Sequence, residues 1–305
     1  MKVVVSVSLG SSSRDHEARA SFLGQDFSIR RVGVDGNFKQ AQALLRELDG
    51  QVDAIGLGGV DIYLRCRDQR YPLRDGLRLR DCVKRTPVVD GSGLKDSLER
   101  QCVDYLQRDG RIALEGRSAL IVSALDRFGM AEALVGAGCK TVFGDKIFAL
   151  NLDQPIDSLE ELSVQAEKLL PELSRLPISF LYPVGRSQTS IEPTELTDKY
   201  LQAAELIAGD FHFIRRRLPD FWPDKTVLTN TVTSMDVEEL RRRGVEWLVT
   251  STPEIEGRSF GTNVLEAVLL TLLGKSWEEV GPEDYLELIE RLQLKPRLLA
   301  LKGQP

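Results

Sequence analysis

Metal-binding and redox-active residues are scarce in this sequence. Its 305 residues include two histidines, His16 and His212, and four cysteines, at positions 66, 82, 102 and 139. The cysteines are scattered and no two of them form a C-x-x-C pair. A zinc site or a disulfide framework is therefore not expected, and we assign no metal-binding residue.

Long apolar runs and a positive net charge are also missing. The longest apolar stretch, "NVLEAVLLTLLG", is shorter than the roughly 20 residues that a helix needs to cross a bilayer. The first residues, "MKVVVSVSLG", lack the cleavage pattern of a signal peptide. The net charge of -6 provides no basic field for nucleic acid. We therefore expect a cytoplasmic protein that neither enters membranes nor binds nucleic acid.

The sequence does contain a regular alternation of short apolar strands and helices. Before residue 60, strands are predicted at "KVVVSVSLG", "FSIRRVGVDG" and "VDAIGLGG", and helices at "HEARASFLG" and "NFKQAQALLRELDG". A second series begins at Arg117 with "ALIVSA", "GMAEALVGAG" and "KTVFGD". This alternation predicts an α/β fold with two parallel-sheet layers, the second a Rossmann-like, doubly wound domain.

The two series also give domain boundaries. We predict a substrate-side α/β domain over residues 1–100 and a Rossmann-like domain over residues 101–263. The C-terminal helices, residues 264–305, are predicted to pack back on the first domain. Because these closing helices are rich in leucine, they are also compatible with a homodimer.

Polar, glycine-rich turns follow the predicted strands. They include "SLGSSSRDH", "GLGGVD", "VVDGSGLK", "SALDRFG", "AGDFHFIRR" and "TNTVTSMD". Because doubly wound sheets bind ligands at the carboxyl ends of their strands, these turns predict a cleft lined by Ser11, Asp90, Asp126, Asp210 and Asn230. Ordinary turn chemistry explains any one of these turns alone, since Gly, Asn, Asp and Ser are common in turns.

The first of these turns, "SSSRDH", suits an anion. Its hydroxyl groups and backbone amides can donate hydrogen bonds, and Arg14 adds a positive charge. A phosphate or carboxylate site is therefore predicted here, with a simple capped turn as the alternative.

The segment from Thr86 to Asp145 resembles the middle of the shikimate/quinate dehydrogenase family. That family has an N-T-D-G-x-G-L motif before a helix and then a nucleotide-binding strand, and this sequence has "DGSGL" at Asp90–Leu94 followed by "ALIVSALDRFG". The resemblance extends more weakly to "TNTVTSMDVEELRRRG" and the closing helices. It implies a two-domain dehydrogenase that oxidises a hydroxylated carboxylic acid.

The resemblance implies an acid/base pair around Asp90. In the family, the matching aspartate works with a lysine to move the proton of the hydroxyl group that is oxidised. That lysine comes from an N-V-T-x-P-x-K motif, and the corresponding stretch here, "GLGGVDIYLRCRDQRYP", has no lysine. Lys95 and Lys84 are the candidates to replace it, because both lie near Asp90 in the sequence.

The resemblance also suggests residues that bind the substrate. The family holds its substrate carboxylate with an S-x-S-P-x-x-H pattern, and "SSSRDH" offers Ser11, Ser13 and His16 with the last spacing one residue short. The family's closing helix carries a glutamine that contacts the substrate. That glutamine is absent here, and Asn263 or Glu266 is the candidate to replace it.

A cofactor site is implied at the turn after the strand "ALIVSA". The three glycine positions of a G-x-G-x-x-G turn hold Ala124, Asp126 and Gly129, so only the glycine that allows close helix packing is kept. Arg127 is a candidate to offset the charge of Asp126. Asp145 lies about 20 residues further on, where an acidic side chain binds the ribose of NAD and disfavours NADP. Asn230 and Thr231 match the nicotinamide-side loop.

Three functions remain open at this point. The first is an NAD-dependent oxidoreductase, with NADP less favoured, that acts on a small hydroxy acid such as quinate or shikimate. The second is a non-redox metabolite-binding or regulatory protein on the same two-domain scaffold. The third is a lyase or transferase that uses "AGDFHFIRRR" and "TNTVT" to hold an anion.

Overall fold

The computed structural model describes residues 1–67, 69–181, 190–255, 258–259, 261–275 and 279–302. The stretch "YPVGRSQT", residues 182–189, lies outside these residues. The N-terminal part of the chain forms β1 (Lys2–Ser8), β2 (His16–Phe22), β3 (Gln25–Gly33), α1 (Phe38–Leu48), β4 (Ala54–Gly58), β5 (Tyr63–Cys66), β6 (Gln69–Pro72), α2 (Arg74–Arg80), β7 (Val88–Val89) and α3 (Ser92–Asp109). Strands β5 and β6 pair with each other in a separate two-stranded sheet. The chain continues through β8 (Ser118–Ile121), α4 (Phe128–Gly136), β9 (Lys140–Phe143), α5 (Asp145–Leu150), α6 (Leu159–Leu173), α7 (Ile178–Leu181), α8 (Glu195–Ala203), β10 (Leu206–Ala208), α9 (Phe211–Arg216), β11 (Thr226–Thr229), α10 (Ser234–Arg242), β12 (Trp247–Thr250), β13 (Glu254–Ile255), β14 (Arg258–Ser259), α11 (Thr262–Leu273), α12 (Pro282–Arg291) and β15 (Arg297–Ala300).

The first sheet has the strand order β2-β3-β1-β4-β7. Four of these strands are parallel, and β2 runs antiparallel to β3 at the edge. Because β3 and β4 lie on opposite sides of β1, the carboxyl end of β1 is a switch point in the order of strands. Doubly wound sheets bind ligands in the crevice at such a point.

The second sheet repeats this arrangement. Its order is β15-β12-β11-β10-β8-β9, with β15 antiparallel to β12 and the other strands parallel. Here β8 has β9 on one side and β10 on the other, so the switch point lies between the carboxyl ends of β8 and β10. The predicted α/β class with a doubly wound second layer is confirmed.

The segment His16–Phe22 is a strand, where the sequence predicted a helix. Its side chains alternate between half-buried and exposed positions, which is the period of a strand with one covered face. Leu23 and Gly24, with φ of 50° and 78°, form the two-residue turn into β3. Positive φ at both positions fits a tight hairpin. Alanine, glutamate and arginine in this segment favour a helix locally, but pairing with β3 overrides that preference.

The two faces of the first sheet are covered by helices from distant parts of the chain. Val4 of β1 packs with Val264 and Ala267 of α11, whereas the next residue, Val5, belongs to the cluster that contains Leu45 of α1. Successive residues of a strand point to opposite faces, so α1 and α11 lie on opposite sides of the sheet. The C-terminal segment contacts both sheets, because α11 covers the first sheet and β15 pairs with β12 of the second.

Candidate functional site

A cleft of about 1010 Å³ lies where the carboxyl ends of the two sheets meet. The first sheet contributes the ends of β1 and β4, the turn after β7 and the start of α11. The second sheet contributes the turns after β8, β10 and β11. Both switch points therefore open into one space, which is where the strand-end turns indicated a ligand site.

The cleft wall brings together many of the residues that the sequence singled out. Those in the wall are Ser13, His16, Asp90, Lys95, Asp126, Arg127, Asp210, Asn230, Thr231 and Asn263. Those outside it are Ser11, Lys84, Ala124, Gly129 and Asp145. Ser11 is buried beneath the turn, where its Oγ accepts a hydrogen bond from Ser13 N at 3.2 Å and lies 2.8 Å from Ser13 Oγ.

Lys84 lies at the wrong end of the first sheet for the role that its sequence position suggested. It precedes β7, whereas Asp90 follows that strand, so the strand itself separates them. The Lys84 side chain is exposed, and its backbone N–H donates to Asp49 Oδ2 at 2.9 Å. Lys84 therefore does not reach the cleft, because the two ends of a parallel strand face opposite edges of the sheet.

Asp90 is held by neutral donors rather than by a lysine. Its carboxylate accepts hydrogen bonds from Ile62 N, from Ser92 N at 3.1 Å and from Ser92 Oγ at 2.7 Å. Burial raises the pKa of Asp90, and these hydrogen bonds only partly oppose that rise. The Asp90–lysine hydrogen bond that the sequence predicted is thus replaced by contacts that tie the turn after β4 to the start of α3.

Lys95 is the cationic group at the centre of the cleft wall. Its Nζ lies 2.7 Å from Asp126 Oδ1 and 3.3 Å from Asp61 Oδ1. Burial lowers the pKa of Lys95, but the two carboxylates outweigh burial and raise the pKa above its usual value. Lys95 is therefore a charged bridge between the two sheets, since Asp61 follows a strand of the first sheet and Asp126 a strand of the second.

Arg127 fills the switch point of the second sheet. Its side chain is 2% exposed, it pairs with Glu99, and its Nη2 lies 2.9 Å from Asp210 Oδ2. Asn230 Nδ2 donates to the same Asp210 oxygen at 2.9 Å. Burial raises the pKa of Asp210, but Arg127 and other partners outweigh burial and lower it to about 2. The crevice between β8 and β10 is thus occupied by a neutralised ion pair.

Asp145 is hydrogen-bonded within the protein where the resemblance implied a ribose contact. Its carboxylate accepts hydrogen bonds from Ala124 N at 3.1 Å and Leu125 N at 2.9 Å. Burial raises the pKa of Asp145 to about 6. These amides belong to the turn where a dinucleotide would place its phosphates, so the turn in this state does not offer them to a diphosphate.

Gly129 is kept for packing between helices. A methyl group added at Gly129 would lie 2.2 Å from Asp96 Oδ1 and 3.1 Å from Asp96 O. Both atoms belong to α3, which packs along α4 at this point. The glycine therefore permits the close approach of two helices and has no part in the cleft wall.

Arg14 is a cation of the cleft wall whose guanidinium group contacts an imidazole ring. It ends the 3₁₀ helix at Ser12–Arg14, and its Nη1 lies 3.2 Å from Nε2 of His212 in α9, the helix that follows β10 of the second sheet. Among the described residues, no carboxylate lies within ion-pair distance of its guanidinium group. Burial lowers the pKa of Arg14, and the more distant Asp236 and Asp210 only partly compensate. A half-buried positive charge in this state favours an anionic partner.

Arg31 lies beside Arg14 and reinforces the positive potential. Its Nη1 donates to Asp15 Oδ1 at 2.8 Å and to Ser11 O at 2.9 Å, and its Nη2 donates to Ser8 Oγ at 3.0 Å. Burial and the neighbouring Arg14 charge lower the pKa of Arg31 to about 10. The two guanidinium groups make this corner of the cleft an attractive site for a carboxylate or phosphate.

Two of these residues were missed as site residues by sequence reasoning. Asp61 follows β4 in the turn "GLGGVD", so the rule that polar side chains after strands line the site would have found it. Arg31 lies inside β3, and the sequence alone does not say which face its side chain takes. The register of β3 against β1 decides that direction.

Within the described residues, no helix is both long and apolar enough to cross a membrane. The same part of the chain holds no group of three histidine, cysteine, aspartate or glutamate side chains placed to bind a metal ion.

Two family profiles match the chain. The domain of unknown function DUF8754 matches residues 93–301, and the domain of unknown function DUF8753 matches residues 3–90. The two matched ranges meet at the turn that carries Asp90, ten residues before the predicted boundary at residue 100. A comparison with curated proteins found no match.

Several solved structures align with the chain at low identity. A NAD-dependent malic enzyme from Thermotoga maritima is 13% identical, with 96% of this chain and 84% of that chain covered and a TM-score of 0.35. GanP, a glucose-galactose binding protein from Geobacillus stearothermophilus, is 9% identical, with 100% and 99% covered and a TM-score of 0.36. A substrate-binding protein of a sugar ABC transport system from Bordetella parapertussis is 12% identical, with 100% and 92% covered and a TM-score of 0.37. Likenesses this low assign no function.

Proposed function

The chain belongs to the DUF8754 family, and we propose that its cleft binds a small hydroxylated acid whose acidic group contacts Arg14. The observation that carries this proposal is the environment of the Arg14 side chain. It is half-buried in the cleft wall, and its hydrogen-bond partner is the imidazole of His212. The other cations described above near the cleft, Arg31, Lys95 and Arg127, each have a carboxylate at ion-pair distance. A ligand carboxylate would supply the missing partner.

The rest of the wall suits hydroxyl groups. Lys95 donates hydrogen bonds, the carboxylates of Asp61 and Asp126 accept them, and Asn230 does both. Such groups converge on the cleft from both sheets, which is typical of sites that recognise small polyhydroxy compounds. Quinate and shikimate, which the resemblance in the sequence suggests, combine one carboxylate with several hydroxyl groups and are the first ligands to test.

The test is calorimetric titration of quinate and of shikimate at low ionic strength, where charge pairing is least screened. Arg14→Met should weaken binding about tenfold or more, because a hydrogen bond between charged groups contributes about 1.5–3 kcal/mol. Arg19→Met is the matched control, since Arg19 lies exposed on β2 outside the cleft wall and the substitution removes the same charge.

Arg19→Met should leave the affinity within about twofold of wild type, which is less than 0.5 kcal/mol. Equal affinity of the Arg14→Met and wild-type proteins, or no binding of either acid to the wild-type protein, would remove the proposal.

A second candidate is NAD-dependent oxidation of the same kind of acid. It is favoured by the contact of Lys95 with Asp126 and Asp61, since an ammonium group beside carboxylates is the acid/base combination that the dehydrogenase resemblance requires. In this second candidate Asp61, rather than Asp90, is the carboxylate paired with Lys95. The turn at Ala124 does not fit a dinucleotide diphosphate while Asp145 accepts its amides.

Titration with NADH, followed by the fluorescence of the nicotinamide, separates the two candidates. Binding of NADH together with quinate-dependent reduction of NAD favours the dehydrogenase. Acid binding without any NADH or NADPH binding favours the non-redox protein. Lys95→Met is then informative. In a dehydrogenase it should abolish turnover, whereas in a non-redox protein it should only weaken binding of the acid.

A further inference from the structure

Helix α11 begins at the cleft wall without a side-chain cap. Its first residue is Thr262, and the residue before it, Gly261, has no side chain to accept hydrogen bonds from the first amides. The amides of Val264 and Leu265 donate to Gly261 O at 2.9 and 3.1 Å, whereas those of Thr262 and Asn263 have no acceptor within the described chain. Within the described chain, the start of this 12-residue helix therefore presents two unpaired donors and the positive end of the helix dipole.

A second, independent observation lies in the same place. Thr262 is 7% exposed, and its Oγ1 is buried without a hydrogen-bond partner in the described chain. The residue forms part of the cleft wall. Buried hydroxyl groups in proteins nearly always have a partner, so this one points to an atom of a bound molecule.

The start of α11 is also held rigidly. A methyl group at Gly91 would lie 2.9 Å from Asn263 N, and one at Gly56 would lie 2.7 Å from Asn263 O, so two glycines allow the backbone to approach closely. Asn263 Nδ2 also donates to Ser6 Oγ at 2.8 Å. A fixed backbone loses little entropy on binding, which suits a binding site.

The start of α11 and the corner of the cleft that contains Arg14 and Arg31, called here the arginine corner, both contact strand β1. Ser6 contacts Asn263, and Ser8 contacts Arg31, at 2.8 and 3.0 Å. The two serines are two residues apart on one face of the strand, which separates them by about 7 Å. The cleft therefore has two positively polarised ends along one edge of the first sheet, the arginine corner and the α11 start.

We infer that the start of α11 is a second anion subsite, so that the ligand carries two acidic groups a few carbon atoms apart, one at Arg14 and one at Thr262 and Asn263. This inference rests on the proposed function, because it takes Arg14 as the first anion contact. The nearby acids do not prevent it. Glu266 accepts from Gly91 N and from Tyr285 Oη, and burial raises its pKa to about 8, which disfavours its charged form. Asp90 is already engaged by its three donors.

The inference is tested with adipate, a dicarboxylate, against hexanoate, the monocarboxylate with the same number of carbon atoms. Wild-type protein should bind adipate about tenfold more tightly in calorimetric titration. Thr262→Val removes the hydroxyl group at nearly constant volume. It should weaken adipate binding about threefold to tenfold without changing the affinity for hexanoate. Thr262→Ser should restore the preference. Thr271→Val is the matched control, because Thr271 lies on the same helix outside the cleft wall.

A second variant acts on the amides instead of the hydroxyl group. Gly261 has φ −62° and ψ 152°, which serine adopts readily, and serine at this position would cap the amides that the ligand is inferred to use. Its Cβ would lie 2.5 Å from Asn263 Oδ1, so the Asn263 side chain must shift. Gly261→Ser should therefore lower adipate affinity while leaving Tm within about 3 °C of wild type, because the new cap hydrogen bond offsets part of the cost of moving the Asn263 side chain. A purely structural role for this turn predicts no such separation between binding and stability.

The outcomes distinguish the inference from the proposed function. Adipate binding no tighter than hexanoate, or unchanged adipate affinity in both Thr262→Val and Gly261→Ser, overturns the second subsite. If Arg14→Met still weakens the binding of both acids in that case, the proposed function is retained without the second subsite. Replacing one carboxylate of adipate with a phosphonate tells which acidic group the α11 start prefers, and either preference supports the subsite.

Discussion

Arg127 and Arg14 occupy corresponding places in the two sheets, since each lies in the turn after the first strand of its switch point. Arg127 is surrounded by Glu99, Asp126 and Asp210, whereas Arg14 contacts the ring of His212 and has no carboxylate at ion-pair distance in the described chain. A neutralised arginine holds a turn in place. An arginine without a carboxylate partner can instead form an ion pair with an acidic ligand. The two arginines therefore differ in whether a carboxylate of the described chain already pairs with their charge.

The largest expected effect is on folding and comes from Arg127. Arg127→Met leaves Glu99, which is 1% exposed, without its cation, and removing one partner of a buried ion pair costs about 3–5 kcal/mol. Urea unfolding should show a loss of free energy of unfolding of about this size. Arg14→Met should change it by less than about 1 kcal/mol, because no buried carboxylate loses its partner.

The double variant Arg127→Met/Glu99→Gln tests whether the unpaired charge of Glu99 causes that loss of stability. A neutral glutamine needs no cation, so the second substitution should recover part of the stability lost in Arg127→Met. If Arg14→Met destabilises the protein as much as Arg127→Met does, the division into structural and functional arginines is wrong.

An intermediate effect is expected at Glu266, a buried carboxyl group of α11 that has no cation at ion-pair distance in the described residues. Burial raises its pKa to about 8 in the folded protein, from an ordinary value of 4.5. The folded state then binds the proton more tightly than the unfolded chain does. The stability that Glu266 contributes is therefore fully present below about pH 4.5 and is lost as the pH rises through 8.

Glu266→Gln should remove this loss. The variant should resemble wild type near pH 5 and exceed it above pH 8 by about 1–3 kcal/mol in the free energy of unfolding. The hydroxyl group of Tyr285 donates to Glu266 in the wild-type protein and can accept from the glutamine amide instead. Parallel stability curves for the two proteins between pH 5 and 9 would show that Glu266 does not titrate in this range.

The smallest effect is expected at Lys84, at the opposite end of the first sheet from the cleft. Lys84→Ala should change the free energy of unfolding by less than about 0.5 kcal/mol, because the exposed side chain makes no described ion pair and the backbone hydrogen bond to Asp49 remains. Quinate affinity should equal that of wild type. A tenfold loss of affinity would restore Lys84 as a candidate partner of the ligand.

Much of the fold followed from the sequence because its signals are local. The period of apolar residues in α1 and the capping glycine Gly50 mark that helix, and the strands read as short apolar runs between turns. The hairpin of β2 and β3 was missed because its residues favour a helix and its turn begins with a leucine at positive φ. Only pairing with a neighbouring strand makes that conformation stable.

The sequence by itself determined that the protein is an α/β chain with polar turns at its strand ends, since periodicity and turn chemistry act over a few residues. It also placed Asp90, Lys95, Asp126 and Asn230 in such turns or directly after them. Only the tertiary structure decided their partners, with Lys95 on Asp61 and Asp126 and with Asp145 on the turn amides. The physical reason is that the charge state of a side chain depends on groups within a few ångströms, and in a two-sheet cleft those groups come from distant parts of the chain.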